Sequence, residues 1–216
     1  MVVAADRVPR VIGIDPGSRV VGYAVLDVLG PGRWQYVECG TLVARGDDPV
    51  QRVHELVGSL TEVLTELSPT SAAMETAFHG QSTSSVLRLA EARGALREAL
   101  MARGLRPGEY APAHVKRMVA GRGAATKHEV ARRVTLVFGL SKLPPADATD
   151  ALAVALCHAQ TVSSGPAMQL LGSSSAGAVA TVRSSPRTRS RARAAAKSTP
   201  HEAARVESTA DERRDT

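Results

Sequence analysis

The chain has 216 residues, 44% of them apolar, with a formal net charge of +6 and a pI near 9.9. This length suffices for one domain with a substantial core, alone or followed by a tail. No apolar run approaches the ~18 residues of a membrane helix, which argues against a membrane-spanning protein. The basic charge balance favours an anionic partner without identifying it.

The amino-terminal stretch MVVAADRVPR carries charge and lacks the apolar core of a secretion signal. Cys39 and Cys157 lie far apart and show neither metal-ligand nor redox spacing. Two such thiols are typical of buried packing in a reducing compartment. We therefore expect a cytoplasmic protein.

Three strands are predicted first, at residues 10–15, 20–27 and 34–44, where apolar runs are joined by tight turns rich in proline and glycine. The first run ends in a carboxylate, Asp15. Asp48-Pro49 then predicts a helix start, because a capping side chain is followed by a first-turn proline and by apolar residues at helical spacing.

The next elements are predicted as a short buried strand at 71–75, a long helix at 82–103, a strand at 108–112 and a short helix at 113–119. The run Thr126-Lys127-His128-Glu129 is a capping-box signature and predicts a helix as far as Phe138.

A last helix is predicted at about 146–160, after a pair of prolines. This order of strands and helices predicts a mixed α/β domain with one central sheet and helices on both faces.

From residue 172 onward the apolar periodicity fades, which predicts a folded domain at 1–171 and a disordered basic tail at 172–216. Residues 183–197 hold six basic groups and no acidic one. Such a block adds salt-dependent affinity for a polyanion, although a tail that only increases solubility is an equally good interpretation.

Four carboxylates stand at the ends or starts of these elements: Asp15, Glu75, Asp147 and Asp150. The carboxyl edges of strands are where active sites of α/β sheets collect, and a spacing of three places the last two on one helical face. Because clustered carboxylates repel one another, they favour binding of divalent cations such as Mg²⁺ or Mn²⁺. Two such ions are a known device for phosphodiester cleavage.

Each carboxylate also has a structural interpretation. Asp147 and Asp150 are suited to capping the last helix, and Asp15 to a turn before Pro16. Glu75 has no turn to serve, since it directly follows a buried apolar run. The functional hypothesis therefore depends on the combination.

Four strings resemble the RuvC family of bacterial Holliday junction endonucleases: GIDPGSRVVGYAVLD, METAF, HVKRMVAGRGAATKHEV and PPADATDALAVALCHA. The similarity extends in order from about Val11 to Ala159. The opening D-P-G-S is weak evidence by itself, since actin-like ATPases and sugar kinases open with a similar glycine-rich hairpin. The closing A-D-x-x-D-A-L-A discriminates far better.

The resemblance implies a ribonuclease H-like fold, with a central mixed five-stranded sheet flanked by helices, and a homodimer. It implies metal-dependent cutting of two strands of a four-way DNA junction, with two Mg²⁺ ions per subunit or Mn²⁺ in their place. The RuvA–RuvB branch-migration complex is the implied partner. The four carboxylates fall on the family's catalytic metal positions.

Further implied contacts are to DNA. Phe78 matches an aromatic that stacks on bases at the opened junction, and Lys116 and Lys127 match basic residues near the scissile phosphate and DNA backbone. Ser82 departs from the pattern, because many members have asparagine at that position.

The residues give separate support for DNA binding. Residues 116–133 carry six cations, Arg122 among them, against one acid. Lys127 lies in the first turn of its predicted helix, where a cation opposes the helix dipole, and an approaching phosphate would explain that placement. The alternative is an ordinary solvated basic face.

Leu87, Ala90 and Gly94 form a stripe of small or flat positions on the long helix at 82–103. An internal glycine costs about 1 kcal/mol relative to alanine, so the stripe indicates close helix packing. A twofold dimer interface, which suits a junction, and packing within the monomer both explain it.

We therefore predict a structure-selective endonuclease that resolves Holliday junctions by symmetric nicking. An activated water would leave 5′-phosphate and 3′-hydroxyl ends. The alternatives are a catalytically silent nucleic-acid-binding module with the same fold, and an actin-like ATPase. The ATPase would require further nucleotide-binding loops and a longer, two-lobed chain.

Overall fold

A computed structural model describes residues 8–76 and 83–163, together with the backbone of residues 188–191. Its elements follow one another in this order: β1 (Arg10–Asp15), β2 (Val20–Gly30), β3 (Arg33–Val43), α1 (Pro49–Leu67), β4 (Ser71–Glu75), α2 (Thr83–Met101), β5 (Gly108–Tyr110), α3 (Pro112–Ala120), α4 (Lys127–Phe138), α5 (Ala146–Ser163) and β6 (Thr188–Arg191). The predicted mixed α/β order is confirmed.

The sheet has the strand order β5-β4-β1-β2-β3-β6. β1, β2 and β3 pair antiparallel, whereas β4 lies parallel to β1 and β5 parallel to β4. The first five strands are the predicted mixed five-stranded sheet. The sixth strand, Thr188–Arg191, lies parallel to β3 and was not predicted.

Helices cover both faces of the sheet, because alternate residues of each strand point to opposite sides. On one face Val11, Ala24 and Ala73 pack with α3, α4 and α5. On the other face Ile12, Ile14 and Met74 pack with α1 and α2. The parallel strands β1 and β4 are therefore buried on both sides, as their apolar sequences require.

Local side-chain chemistry sets several helix boundaries. Asp48 accepts a hydrogen bond from the Gln51 amide at 2.9 Å, and Thr126 and Glu129 form the predicted capping box. β5 ends at Tyr110, two residues earlier than predicted, because Pro112 occupies the first turn of α3.

Several predictions concern residues outside the described ones. Phe78 and Ser82 are among them, as is all of the predicted tail except Thr188–Arg191. The division into a domain at 1–171 and a disordered tail at 172–216 stays a prediction. Both cysteines are buried and unpaired. No helix in the described ranges is long and apolar enough to cross a membrane.

Candidate active site

The ends of β1 and β4 bring two carboxylates side by side. These neighbouring strands run parallel, and their last matched pair is Ile14 with Met74. Asp15 and Glu75 follow that pair directly. Because side chains alternate between the faces of a strand, both lie on the face opposite Ile14 and Met74, which is the α5 face.

Two glycines let α5 lie directly on the sheet. A Cβ atom at Gly13 would clash with the backbone of Ala151 and Ala155, and one at Gly22 would clash with the carbonyl group of Asp147. Gly22 pairs with Asp15 across the β1–β2 ladder. The absence of a side chain at these two positions therefore sets the amino end of α5 over the end of β1.

A cavity of about 510 Å³ opens where these elements meet. Its acidic end is lined by Asp15, Glu75 and Asp150, with Lys116 and Lys127 beside them. Apolar residues form much of the remaining wall: Pro16, Leu89, Pro112, Val115, Val130 and Ala153. Asp147 is not among the lining residues, although its charge acts on Asp15.

The carboxylates strongly perturb one another. Burial, and then the charges of Glu75, Asp150 and Asp147, raise the pKa of Asp15 to about 8. Burial and the charge of Asp150 also raise the pKa of Glu75, and a hydrogen bond with Asp15 opposes that rise. Without a cation, the pair holds a proton at neutral pH that neither carboxyl group would hold in water.

Lys127 partly offsets this charge. Its Nζ atom donates a hydrogen bond to Asp150 Oδ2 at 2.8 Å, although 79% of the side chain remains exposed. The ion pair raises the pKa of Lys127. It also explains how a cation is tolerated in the first turn of α4, where the helix dipole disfavours it.

The contact also separates two interpretations of Asp150. A capping carboxylate would bind amide groups at the start of its own helix. Asp150 instead faces the cavity and binds Lys127, which precedes it by 23 residues. Helix capping therefore does not account for the contact that Asp150 makes.

The donor set fits hard divalent cations. Carboxylate oxygens are the ligands of Mg²⁺ and Mn²⁺, and the raised pKa of Asp15 reflects its burial first and then the negative charges of its neighbours. Among the described residues, no three side chains already surround one point as metal ligands. The carboxylates thus share a cavity but do not form a closed shell.

The other predicted DNA-binding residues lie in different surroundings. Lys116 lines the cavity, whereas Arg122 forms an ion pair with Glu129 and is not among the cavity residues. Phe78 lies outside the described residues. Sequence analysis assigned no role to Gly13, Gly22 or Arg93. The two glycines offered a signal, because a glycine inside a strand pattern often marks a place where another backbone approaches closely. Arg93 offered none.

Comparisons with known proteins show which family the chain is similar to. Residues 11–158 match the family model of crossover junction endodeoxyribonuclease RuvC. RuvC of Chromohalobacter salexigens is 40% identical over 148 residues, which are 68% of this chain and 79% of that protein. RuvC of Chromobacterium violaceum is 42% identical over 151 residues, or 69% and 85% of the two chains.

A solved structure is similar as well. The Thermus thermophilus RuvC structure in complex with Holliday junction substrate has a TM-score of 0.67 at 32% identity. The match covers 72% of this chain and 95% of that chain.

Proposed function

Because the chain belongs to the RuvC family of crossover junction endodeoxyribonucleases and has their ribonuclease H-like fold, we propose that it resolves Holliday junctions. It nicks two strands of the four-way junction symmetrically, during homologous recombination and DNA repair. The observation that carries this proposal is the convergence of Asp15, Glu75 and Asp150 on one cavity, with Asp147 close enough to act on Asp15.

The four carboxylates hold divalent cations, two Mg²⁺ ions per subunit or Mn²⁺ in their place. When bound, these ions polarise the attacking water and stabilise the leaving oxygen. Asp15 would be central among the residues that hold the ions, because the charges of Glu75, Asp150 and Asp147 all act on its pKa. Asp150 would be available as a ligand once it is no longer paired with Lys127.

The two lysines bind the phosphate. Lys127 moves its charge from Asp150 toward the phosphodiester oxygens, and Lys116 contributes charge from α3. A positioned cation stabilises negative charge as it develops on the phosphate. The apolar side chains Val115 and Val130 limit water at the same place, which strengthens these interactions.

The protein acts as a homodimer through the outer stripe of α2. Leu87 is 65% exposed, and a Cβ atom at Gly94 would meet no atom within 4 Å in the described part of the chain. Packing within the described monomer therefore does not explain the stripe.

We also propose action in the cytoplasm with the RuvA–RuvB complex, base stacking by Phe78, and phosphate binding by Arg122 and the basic tail.

The test is incubation of a mobile four-way junction, and of duplex DNA of the same sequence, with Mg²⁺. Paired, symmetric nicks in the junction alone, with 5′-phosphate ends, are expected. Tight junction binding without nicks, in both Mg²⁺ and Mn²⁺, would instead identify the catalytically silent module.

A further inference from the structure

Arg93 lines the cavity and belongs to none of the predicted sites. It lies on α2, one helical turn after Leu89, and both residues line the cavity wall. The Arg93 side chain is only 20% exposed. A cation so enclosed, in a cavity proposed to receive DNA, requires an explanation.

The contacts of Arg93 leave hydrogen-bonding capacity unused. Its Nη2 atom lies 2.9 Å from Glu109 Oε2, which pairs the charges. Its buried Nε atom, in contrast, has no hydrogen-bond partner within the described residues. A buried donor without a partner is costly, so an acceptor brought to Nε gains what the free protein lacks.

Glu109 serves two arginines. Arg97, one turn further along α2, approaches the same carboxylate at 3.4 Å but is 55% exposed and does not line the cavity. The three side chains carry a net charge of +1, which remains available to an anion. Glu109 is therefore suited to holding Arg93 in place without cancelling the positive charge of the group.

Arg93 also differs in position from the two cavity lysines. Lys116 and Lys127 act electrostatically on Glu75, at the acidic end. Arg93 shares its helix with Leu89, on the part of the wall formed by α2. A single strand whose scissile phosphate lies at the carboxylates carries further phosphates, one nucleotide away in each direction, past the neighbouring walls.

We propose that Arg93 binds a phosphate of the cleaved strand next to the scissile one, and that Glu109 positions its guanidinium for that contact. This inference rests on the proposed nuclease function. A guanidinium matches the oxygens of a phosphate in a bidentate geometry that lysine lacks. The contact sets which phosphodiester bond enters the acidic end, so it contributes to binding and to the choice of cleavage position.

The experiment combines protein variants with modified junctions. Uncharged methylphosphonate replaces single phosphates, one at a time, within three nucleotides on either side of the nick. Cleavage by wild type, Arg93→Gln and Arg93→Lys is measured at saturating and subsaturating junction. Arg97→Gln is the matched control, because it removes the other partner of Glu109 without reaching the cavity.

For wild type, we expect one methylphosphonate beside the scissile bond to weaken cleavage about tenfold, the effect of about 1.4 kcal/mol. Arg93→Gln should weaken cleavage of the unmodified junction by a similar factor, chiefly at subsaturating DNA. In the Arg93→Gln variant, the same methylphosphonate should cause no further loss of cleavage, because the contact between Arg93 and that phosphate is already absent. Arg93→Lys should fall between, and Arg97→Gln should match wild type.

Independent, multiplicative effects of Arg93→Gln and every methylphosphonate would overturn the proposal and make Arg93 a structural tether between α2 and β5. Equal effects of Arg93→Gln and Arg97→Gln would do the same. If Arg93→Gln does not fold, as judged by thermal unfolding, Arg93→Lys supplies the cycle instead. Failure of wild type to cut any junction would overturn the nuclease function as well, whereas normal cutting with no coupling would overturn only the role of Arg93.

Discussion

The two ends of α5 carry polar clusters that differ in how far their hydrogen bonds and charges are satisfied. At the carboxyl end, His158 Nε2 lies 2.6 Å from the Ser71 hydroxyl and Nδ1 lies 2.8 Å from the Tyr110 hydroxyl. A neutral imidazole has one donor and one acceptor, so the two hydroxyls satisfy it completely. This cluster fastens α5 to β4 and β5.

The amino end of α5 holds groups that do not satisfy one another. Asp150 lines the cavity together with Asp15, and the charges of both Asp150 and Asp147 raise the pKa of Asp15. Polar clusters with a structural role and polar clusters with a ligand-binding role can therefore be told apart on one helix. Polar groups that complete each other stabilise the fold, whereas polar groups left incomplete indicate a ligand from outside.

The largest expected effect comes from removing one incomplete carboxylate. Asp15→Asn and Asp150→Asn should each lower junction cleavage by at least about 10³-fold, since several kcal/mol of transition-state stabilisation is lost. Junction affinity should stay near wild type. Cleavage assays in Mg²⁺ and gel-shift assays in its absence check the two results, and Mg²⁺-dependent cutting retained by Asp15→Asn would remove that residue from the mechanism.

Disrupting the complete cluster should instead affect the fold. His158→Ala removes the partner that the Ser71 and Tyr110 hydroxyls share and creates a cavity, which should cost about 2–4 kcal/mol of unfolding free energy. Denaturant unfolding measures that loss, and Ser71→Ala is the milder control. The cleavage rate of the folded fraction should stay within a few-fold of wild type; a large loss there would mean that the two ends are not separate.

The clusters should also respond to pH in opposite directions. The pKa of Asp15 is raised to about 8, so the metal-free native state holds a proton that the unfolded chain has released above pH ~4. Stability should therefore fall as pH rises between these values, by up to about 1.4 kcal/mol per pH unit. Asp15→Asn should flatten that slope in metal-free unfolding experiments.

Burial lowers the pKa of His158. The stability that depends on its neutral ring is present above the unfolded pKa of ~6.5 and is lost as pH falls below it. His158→Phe should remove this acid-side loss while keeping the alkaline-side loss caused by Asp15. A variant that changed both sides of the pH profile would contradict the separation.

The smallest expected effect is that of Lys127→Gln on stability. The Lys127 side chain is 79% exposed, and an exposed ion pair contributes about 0–1 kcal/mol. The variant should unfold within that range of wild type, yet show a larger rise in melting temperature with Mg²⁺, because Lys127 no longer competes for Asp150. An unchanged or smaller rise would argue against that competition.

Much of the site could be predicted from local pattern. Each acid stands at a recognisable boundary: Asp15 and Glu75 after short apolar runs, Asp147 and Asp150 just after a proline pair. The capping box at Thr126 was equally readable, because both of its hydrogen bonds are local. Arg93 gave no signal, because its burial and its ion pair with Glu109 exist only where α2 packs beside β5.

The sequence by itself determined the elements and the chemistry, namely strands that end in carboxylates and a last helix that begins with two more. Hydrophobic period and capping are local properties of the chain, so they survive without a fold. Only the tertiary structure decided the distances. The register of β1 with β4 set Asp15 beside Glu75, and the close approach over Gly13 and Gly22 brought α5 down onto them. These contacts join residues remote in the chain, and their energies depend on packing that no local pattern contains.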